Sequence, residues 1–396
     1  MKITRIEIVA LDQPHKGRLI FATGPTPAAN NFILMKIHTD QGLVGIGSSY
    51  SFPDAPLLKS GVSREGAMVL MKDLAAMLIG EDPRRTHHLL NRLETAIGGW
   101  FSENWYVLGT FDCALYDLKG KIVDVPVYEL LGGIQRERIP LEHIQSFLPT
   151  PEEAAEEAKR YIDAGFSSIK LHVNADPKNA LARFRAMREA LGAGIPIGVD
   201  MGMAYSLSGA LKTIERLDEH DLNFVEQPLP AYDVEGQVLL RRKSRVPILA
   251  DHGAMSVAEA YASIKSGAYD GAHCLLCRVG GVHRGVKWAD LMDIAFVDYQ
   301  ICNQGNTIAA AIGAHFAVTR KKSDRFNDEL GLFLYLHGTT DTASITDDIV
   351  RDPGFTIEGG ELHSPRGPGL GVELDDAMVE RYRSKTLDTI MVSRRM

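Results

Sequence analysis

Three carboxylates carry the chemistry this sequence can do. Asp200, Glu226 and Asp251 each close a short apolar run: Ile-Pro-Ile-Gly-Val-Asp200, Asn-Phe-Val-Glu226 and Pro-Ile-Leu-Ala-Asp251. They stand about 25 residues apart, the length of one strand, one helix and two loops of a parallel sheet. Each should sit at the C-terminal end of a buried parallel strand, the end at which (β/α) barrels build their sites. Three converging carboxylates repel one another unless a cation binds them, and an all-oxygen ligand set suits Mg²⁺.

In Ser168-Ile-Lys170-Leu-His172-Val, Lys170 and His172 are two apart and share one strand face. If that face looks into the barrel mouth, an amine and an imidazole approach the carboxylates together. Beside a metal cation Lys170 would have a depressed pKa and could act as a base; the other reading makes it an ion-pair partner of one of the carboxylates. Cys274 and Cys277 form a C-x-x-C, a spacing used for zinc and redox chemistry. They lie in the strand-like run Ala-His-Cys-Leu-Leu-Cys, where residues three apart point to opposite faces, so they read as two buried thiols.

Composition bounds the setting. The chain of 396 residues is 45% hydrophobic and 24% charged, as in a globular enzyme of one large or two ordinary domains. Its net charge of −8 and lack of a basic block argue against nucleic acid as a partner. No apolar run reaches the roughly 18 residues of a membrane span. The N-terminus alternates like an edge strand and lacks a signal-peptide apolar core. Cysteines 113, 274, 277 and 302 form no disulfide framework, which predicts free thiols in a reducing cytoplasm.

The elements that must position these residues follow in two patterns. Residues 1–60 read as antiparallel β, with Asn31–Thr39 and Leu43–Ser48 flanking the turn Asp40-Gln41-Gly42. His15–Asn30 and Ser48–Pro56 read as loops at one edge, candidates for functional lids. Residues 63–130 turn helical. From about residue 138 the chain alternates β and α, with strands at Ile139–Gln145, Ser168–Val173, Ile195–Met201, Asn223–Gln227, Pro247–Asp251, Gly271–Cys277 and Tyr299–Gln304. Seven such units predict a barrel, and the absence of a Gly-rich phosphate turn argues against a doubly wound, dinucleotide-binding sheet. The expected division is an α+β capping domain over 1–135, the barrel over 136–355, and a segment over 356–396 that returns to the cap.

On these residues the chain resembles the enolase superfamily, in its mandelate racemase and muconate lactonizing enzyme branches. The carrying motifs are Phe111-Asp-Cys-Ala-Leu-Tyr-Asp117-Leu-Lys-Gly-Lys121, Pro126-Val-Tyr-Glu-Leu-Leu-Gly-Gly133, Asp200-Met-Gly-Met-Ala-Tyr-Ser206, Phe224-Val-Glu226-Gln-Pro-Leu, Leu249-Ala-Asp251, Arg278-Val-Gly-Gly281 and Gly367-Pro-Gly-Leu-Gly371-Val. The resemblance implies an α/β fold, a modified TIM barrel (β/α)₇β with an α+β cap built from both ends of the chain. It implies Mg²⁺ on Asp200, Glu226 and Asp251, a small carboxylate substrate, abstraction of the proton next to that carboxylate through a stabilised enolate, and a homo-oligomer.

Three departures shape the expected reaction. The family's Lys-x-Lys is here Lys170-x-His172, which gives the base position to His172 and the carboxylate-polarising position to Lys170. The opposite-face positions hold Leu275 and Asn303, leaving Cys277 and His252 as candidate acids or bases. Gly45-Ile-Gly47-Ser48 lacks the usual glutamate. One populated face favours a dehydratase or cycloisomerase; a racemase or epimerase and a catalytically impaired carboxylate-binding relative are the alternatives. Asn30, Asn31, Tyr50, Trp100 and Trp105 are candidate pocket residues.

Overall fold

The computed structural model describes the chain apart from residues 18–19, 22–23, 26–28, 50–62, 98–103, 146–147, 149, 303–304, 322, 324 and 395–396. Tyr50, Trp100, Asn303 and most of the loop at 48–56 therefore lie outside the described residues.

The cap is a four-stranded antiparallel sheet in the order Ile390–Ser393, Ile3–Pro14, Ala29–Thr39, Val44–Ser48. Gly42 takes φ 81° in the turn between Ala29–Thr39 and Val44–Ser48, a conformation that suits glycine. The C-terminal strand pairs with the first one, Ile6 opposite Val392. Helices Arg64–Ala76 and Thr86–Ala96 precede Trp105–Val123, a helix buried on nearly every face. This last helix fastens cap to barrel with two buried acids. Asp112 accepts hydrogen bonds from the N–H of Val282 (2.6 Å) and His283 (2.9 Å), at the start of a barrel helix. Asp117 accepts from the N–H of Ile46 and Leu370, each at 2.8 Å, and from Lys121. The motif Phe111–Lys121 is thus a joint between three parts of the chain. Burial pushes Asp112 up to about 7.

The barrel's parallel strands are Glu142–Gln145, Ser168–His172, Ile197–Asp200, Phe224–Glu226, Ile248–Ala250, Gly271–Leu275 and Asp298–Cys302, each paired with the next. Parallel bridges Leu141–Asp328 and Cys302–Glu329 close the circle, so residues 328–329 stand in the eighth strand position. Six of the connecting helices begin with side-chain caps, at Thr150, Asp176, Ser206, Asp233, Ser256 and Asn306, each of which satisfies a first-turn N–H, typically worth about 1 kcal/mol. Phe224, Leu249 and Phe326 form a separate apolar cluster, with the two phenyl rings edge-to-face at 5.3 Å. Gly198 has no side chain because the Phe224 ring occupies that space. Burying such a ring contributes roughly 1.5–3 kcal/mol.

One strand end differs from its sequence reading. The sixth strand stops at Leu275, and Leu276–Val279 is a helical turn ending at Gly280 with φ 98°. Alternation therefore does not extend to Cys277, which the sequence pattern placed on this strand. Apolar runs of this length read equally as strand or buried helix.

Candidate active site

The register lines up the chemistry. His172 pairs with Asp200, and Asp200 with Glu226, so these three sit side by side at the C-terminal ends of strands two, three and four. Asp251 follows the fifth strand directly. Each carboxylate meets a positive or protonatable group. Lys170 Nζ lies 2.5 Å from Glu226 Oε2, His172 Nδ1 lies 3.1 Å from Asp200 Oδ2, and Asp251 is held by Arg278 at 2.7 Å and by His252 Nδ1 at 2.8 Å. Lys170, His172, Asp200, Glu226 and Asp251 are thus brought together.

Electrostatics separates their roles. Burial pulls the Lys170 ammonium down, but Glu226, Glu329 and Asp200 outweigh it and hold the pKa well above the ordinary lysine value. Burial raises Asp251, but Arg278 and His252 hold it well below the carboxylate range. Burial and the neighbouring Asp200 push Glu226 up to about 7. A carboxylate so placed is short of positive charge despite its lysine. Oxygens of Glu226 and Asp251 and a nitrogen of His273 lie within 4.8 Å of one another. The oxygen donors and the charge deficit at Glu226 fit a hard divalent cation.

Two residues that the sequence did not single out complete the floor. Glu329, in the eighth strand position, lies 2.5 Å from Lys170 Nζ. His273, facing inward from the sixth strand, lies 3.4 Å from Glu329 and 3.5 Å from Glu226, and 2.5 Å from Gln300. Burial lowers His273, but these two carboxylates push it up to about 9. Gln300 donates to Glu142 at 3.2 Å. His273, Cys302 and Glu329 also bring ligand-type atoms within 4.8 Å of one another, but there the Lys170 ammonium supplies the positive charge. The inward parity of the sixth strand, which puts His273 on the same face as Leu275, was available in the sequence. Glu329 was hidden because its strand is two residues long.

The remaining candidates fall as follows. His252 is a third exposed at its side chain and touches Asp251. Cys277 lies in the helical turn, with burial pushing its thiol up to about 11. On the seventh strand Gln300 and Cys302 face inward; burial and Glu329 push the Cys302 thiol well up, so it stays protonated. Asn30 is buried and donates to Gly305 O at 2.9 Å, tying the cap to the barrel. Asn31 is also buried. Trp105 is buried beneath the Arg284 guanidinium, 3.8 Å from its ring centre, so packing accounts for it. Among the described residues no helix is long and apolar enough to cross a membrane.

Comparison with known proteins gives the family. Residues 5–132 match the mandelate racemase / muconate lactonizing enzyme N-terminal domain, and residues 153–378 match the enolase C-terminal domain-like description. A crystal structure of a mandelate racemase/muconate lactonizing family protein from Azoarcus sp. EbN1 is similar at 31% identity and TM-score 0.90, covering 99% of this chain and 100% of that one. An N-succinyl-L-Arg/Lys racemase from Bacillus cereus is 29% identical, over 95% of this chain and 96% of its own length. A D-galactonate dehydratase from Ralstonia nicotianae is also 29% identical, over 89% of this chain and 91% of its own. The chain belongs to the mandelate racemase / muconate lactonizing enzyme family of the enolase superfamily, and it is an enzyme of the lyase or isomerase class.

Proposed function

We propose that the chain removes the proton next to the carboxylate of a small organic acid, with Mg²⁺ held by Asp200, Glu226 and Asp251. The observation that carries this reading is the register of His172, Asp200 and Glu226, which sets an imidazole beside two of the three carboxylates. When bound, the cation supplies Lewis-acid stabilisation of negative charge on the substrate carboxylate. His172 takes the α-proton. Lys170, held protonated by Glu226 and Glu329, orients the substrate carboxylate and offsets the charge that develops there.

The reaction we favour abstracts the α-proton on one face only, as in a dehydratase or cycloisomerase. Opposite His172, the described inward positions of strands six and seven hold Leu275, protonated His273 paired to carboxylates, and a thiol kept protonated by burial. None is a free base. His252, Cys277 and Cys302 are candidate proton donors to the departing group, and contact with Asp251 favours His252. A racemase or epimerase is the second reading, supported by the similarity to the N-succinyl-L-Arg/Lys racemase; it would use a protonated donor on the far face.

The thiols of Cys113, Cys274, Cys277 and Cys302 are all free, which supports a reducing, cytoplasmic setting, and family resemblance supports a homo-oligomer. The test is a panel of acid sugars, hydroxyproline-like acids, dipeptides and N-succinyl amino acids in D₂O with Mg²⁺, monitored by proton NMR. Mg²⁺-dependent loss of an α-proton signal supports the reading; binding without exchange across the panel overturns it in favour of an impaired carboxylate-binding relative.

A further inference from the structure

Gln227 follows Glu226 and is fully buried. Its backbone φ is 36°, in the left-handed region that side-chain-bearing residues adopt at a cost and keep only when their surroundings over-determine them. Its contacts show what holds it. Its N–H donates to Leu249 O at 2.9 Å, on the fifth strand, and its carbonyl accepts from the N–H of Met203 at 2.7 Å, in the loop after the third. Its side-chain oxygen accepts two N–H groups at 3.0 Å, those of Asp251 and Gly253. Its side-chain nitrogen donates to Leu229 O at 3.1 Å and to the Tyr269 hydroxyl at 3.0 Å. That hydroxyl packs where a side chain on Gly253 would stand. Gln227, directly after Glu226, is thus bonded to the loop that follows Asp200 and to the strand that leads into Asp251, and it grips the turn that bears His252 from both sides.

We infer that Gln227 is the positioning residue that sets the relative placement of the three carboxylates, and so the metal affinity, by fixing the Asp251–Gly253 turn against the fourth strand. The inference rests on the Mg²⁺ site proposed above. With the amide oxygen gone, the Asp251 and Gly253 N–H groups lose their buried acceptor and the turn can rotate Asp251 away from Glu226. Supports behind a metal ligand typically contribute 10–100-fold in affinity.

The experiment is calorimetric titration of the full chain with Mg²⁺ alone, alongside thermal melting without Mg²⁺. Gln227→Met, similar in shape but without the acceptor, should weaken Mg²⁺ binding roughly 10–100-fold. Gln227→Glu keeps an acceptor for both N–H groups and should recover most of that loss. Tyr269→Phe removes one outer bond and should weaken binding roughly fivefold, which keeps the inference testable if Gln227→Met fails to fold. Asp251→Asn separates the two claims. Binding lost in Asp251→Asn but kept at the wild-type level in folded Gln227→Met, or in Tyr269→Phe if Gln227→Met does not fold, overturns the inference alone. Wild-type affinity in Asp251→Asn, or no binding by the unaltered chain, overturns the inference and the proposed site together. A lowered melting temperature with unchanged Mg²⁺ affinity would show a purely structural glutamine.

Discussion

The Lys170 ammonium lies 2.5 Å from the carboxylate of Glu329 at the centre of the barrel, both side chains almost wholly buried. The contact joins the second strand to the eighth position across the site. Glu226 lies equally close to the same nitrogen, so one cation serves two carboxylates. A lysine so held is a fixed charge, and of its two sequence readings the cationic one has the geometric support.

That arrangement predicts a stability effect. Lys170→Met leaves two buried carboxylates uncompensated and should cost about 3–5 kcal/mol in urea unfolding. Adding Glu329→Gln should return part of the loss. A Lys170→Met variant as stable as the wild type would show that His273 alone balances these carboxylates.

The proton donors can be separated by comparing exchange with turnover. For a one-face elimination, replacing the donor to the departing group leaves α-proton exchange in place and lowers product formation. His252→Gln should show this split, with a loss on the order of 10²-fold. Cys277→Ser and Cys302→Ser should each change turnover less than tenfold. A larger loss in either thiol variant than in His252→Gln would move the role to that cysteine.

Acid stability should depend on His315, buried in the helix Thr307–Ala317. Its Nδ1 accepts from the N–H of Tyr128 at 3.3 Å, and Nε2 lies 3.1 Å from Leu370 O. Burial pushes it down to about 4, against about 6.5 in an unfolded chain. Between these values the unfolded state holds the extra proton. The stabilisation is complete above pH 6.5 and is lost as pH falls towards 4, in total roughly 3 kcal/mol. Unfolding free energies measured from pH 4 to 7 should rise with pH, and His315→Gln should flatten that slope. An unchanged slope would assign the effect to other buried histidines such as His143 and His283, whose pKa values burial also lowers.

The convergence of Asp200, Glu226 and Asp251 was legible because each ends or directly follows a short apolar strand at near-constant spacing, and parallel strands put such ends on one face. His172 and Lys170 were legible for the same reason. What the sequence hid was set by tertiary structure. Glu329 sits on a strand position too short to show a period, and it lies beside Lys170 only because the barrel closes there. Cys277 was misplaced on a strand face because Leu276–Val279 turns helical within an apolar run. Gln227 gave no signal as a hub, since its partners Met203, Leu249, Asp251, Gly253 and Tyr269 are scattered along the chain.

The most direct test of the account is the exchange of a substrate α-proton in D₂O, measured with and without Mg²⁺ in the wild-type chain and in His172→Asn. The proposed chemistry predicts exchange that stops when the metal is chelated, and that falls by at least about 10²-fold in His172→Asn while Mg²⁺ binding persists. Undiminished exchange in His172→Asn, or in metal-stripped protein, would contradict it.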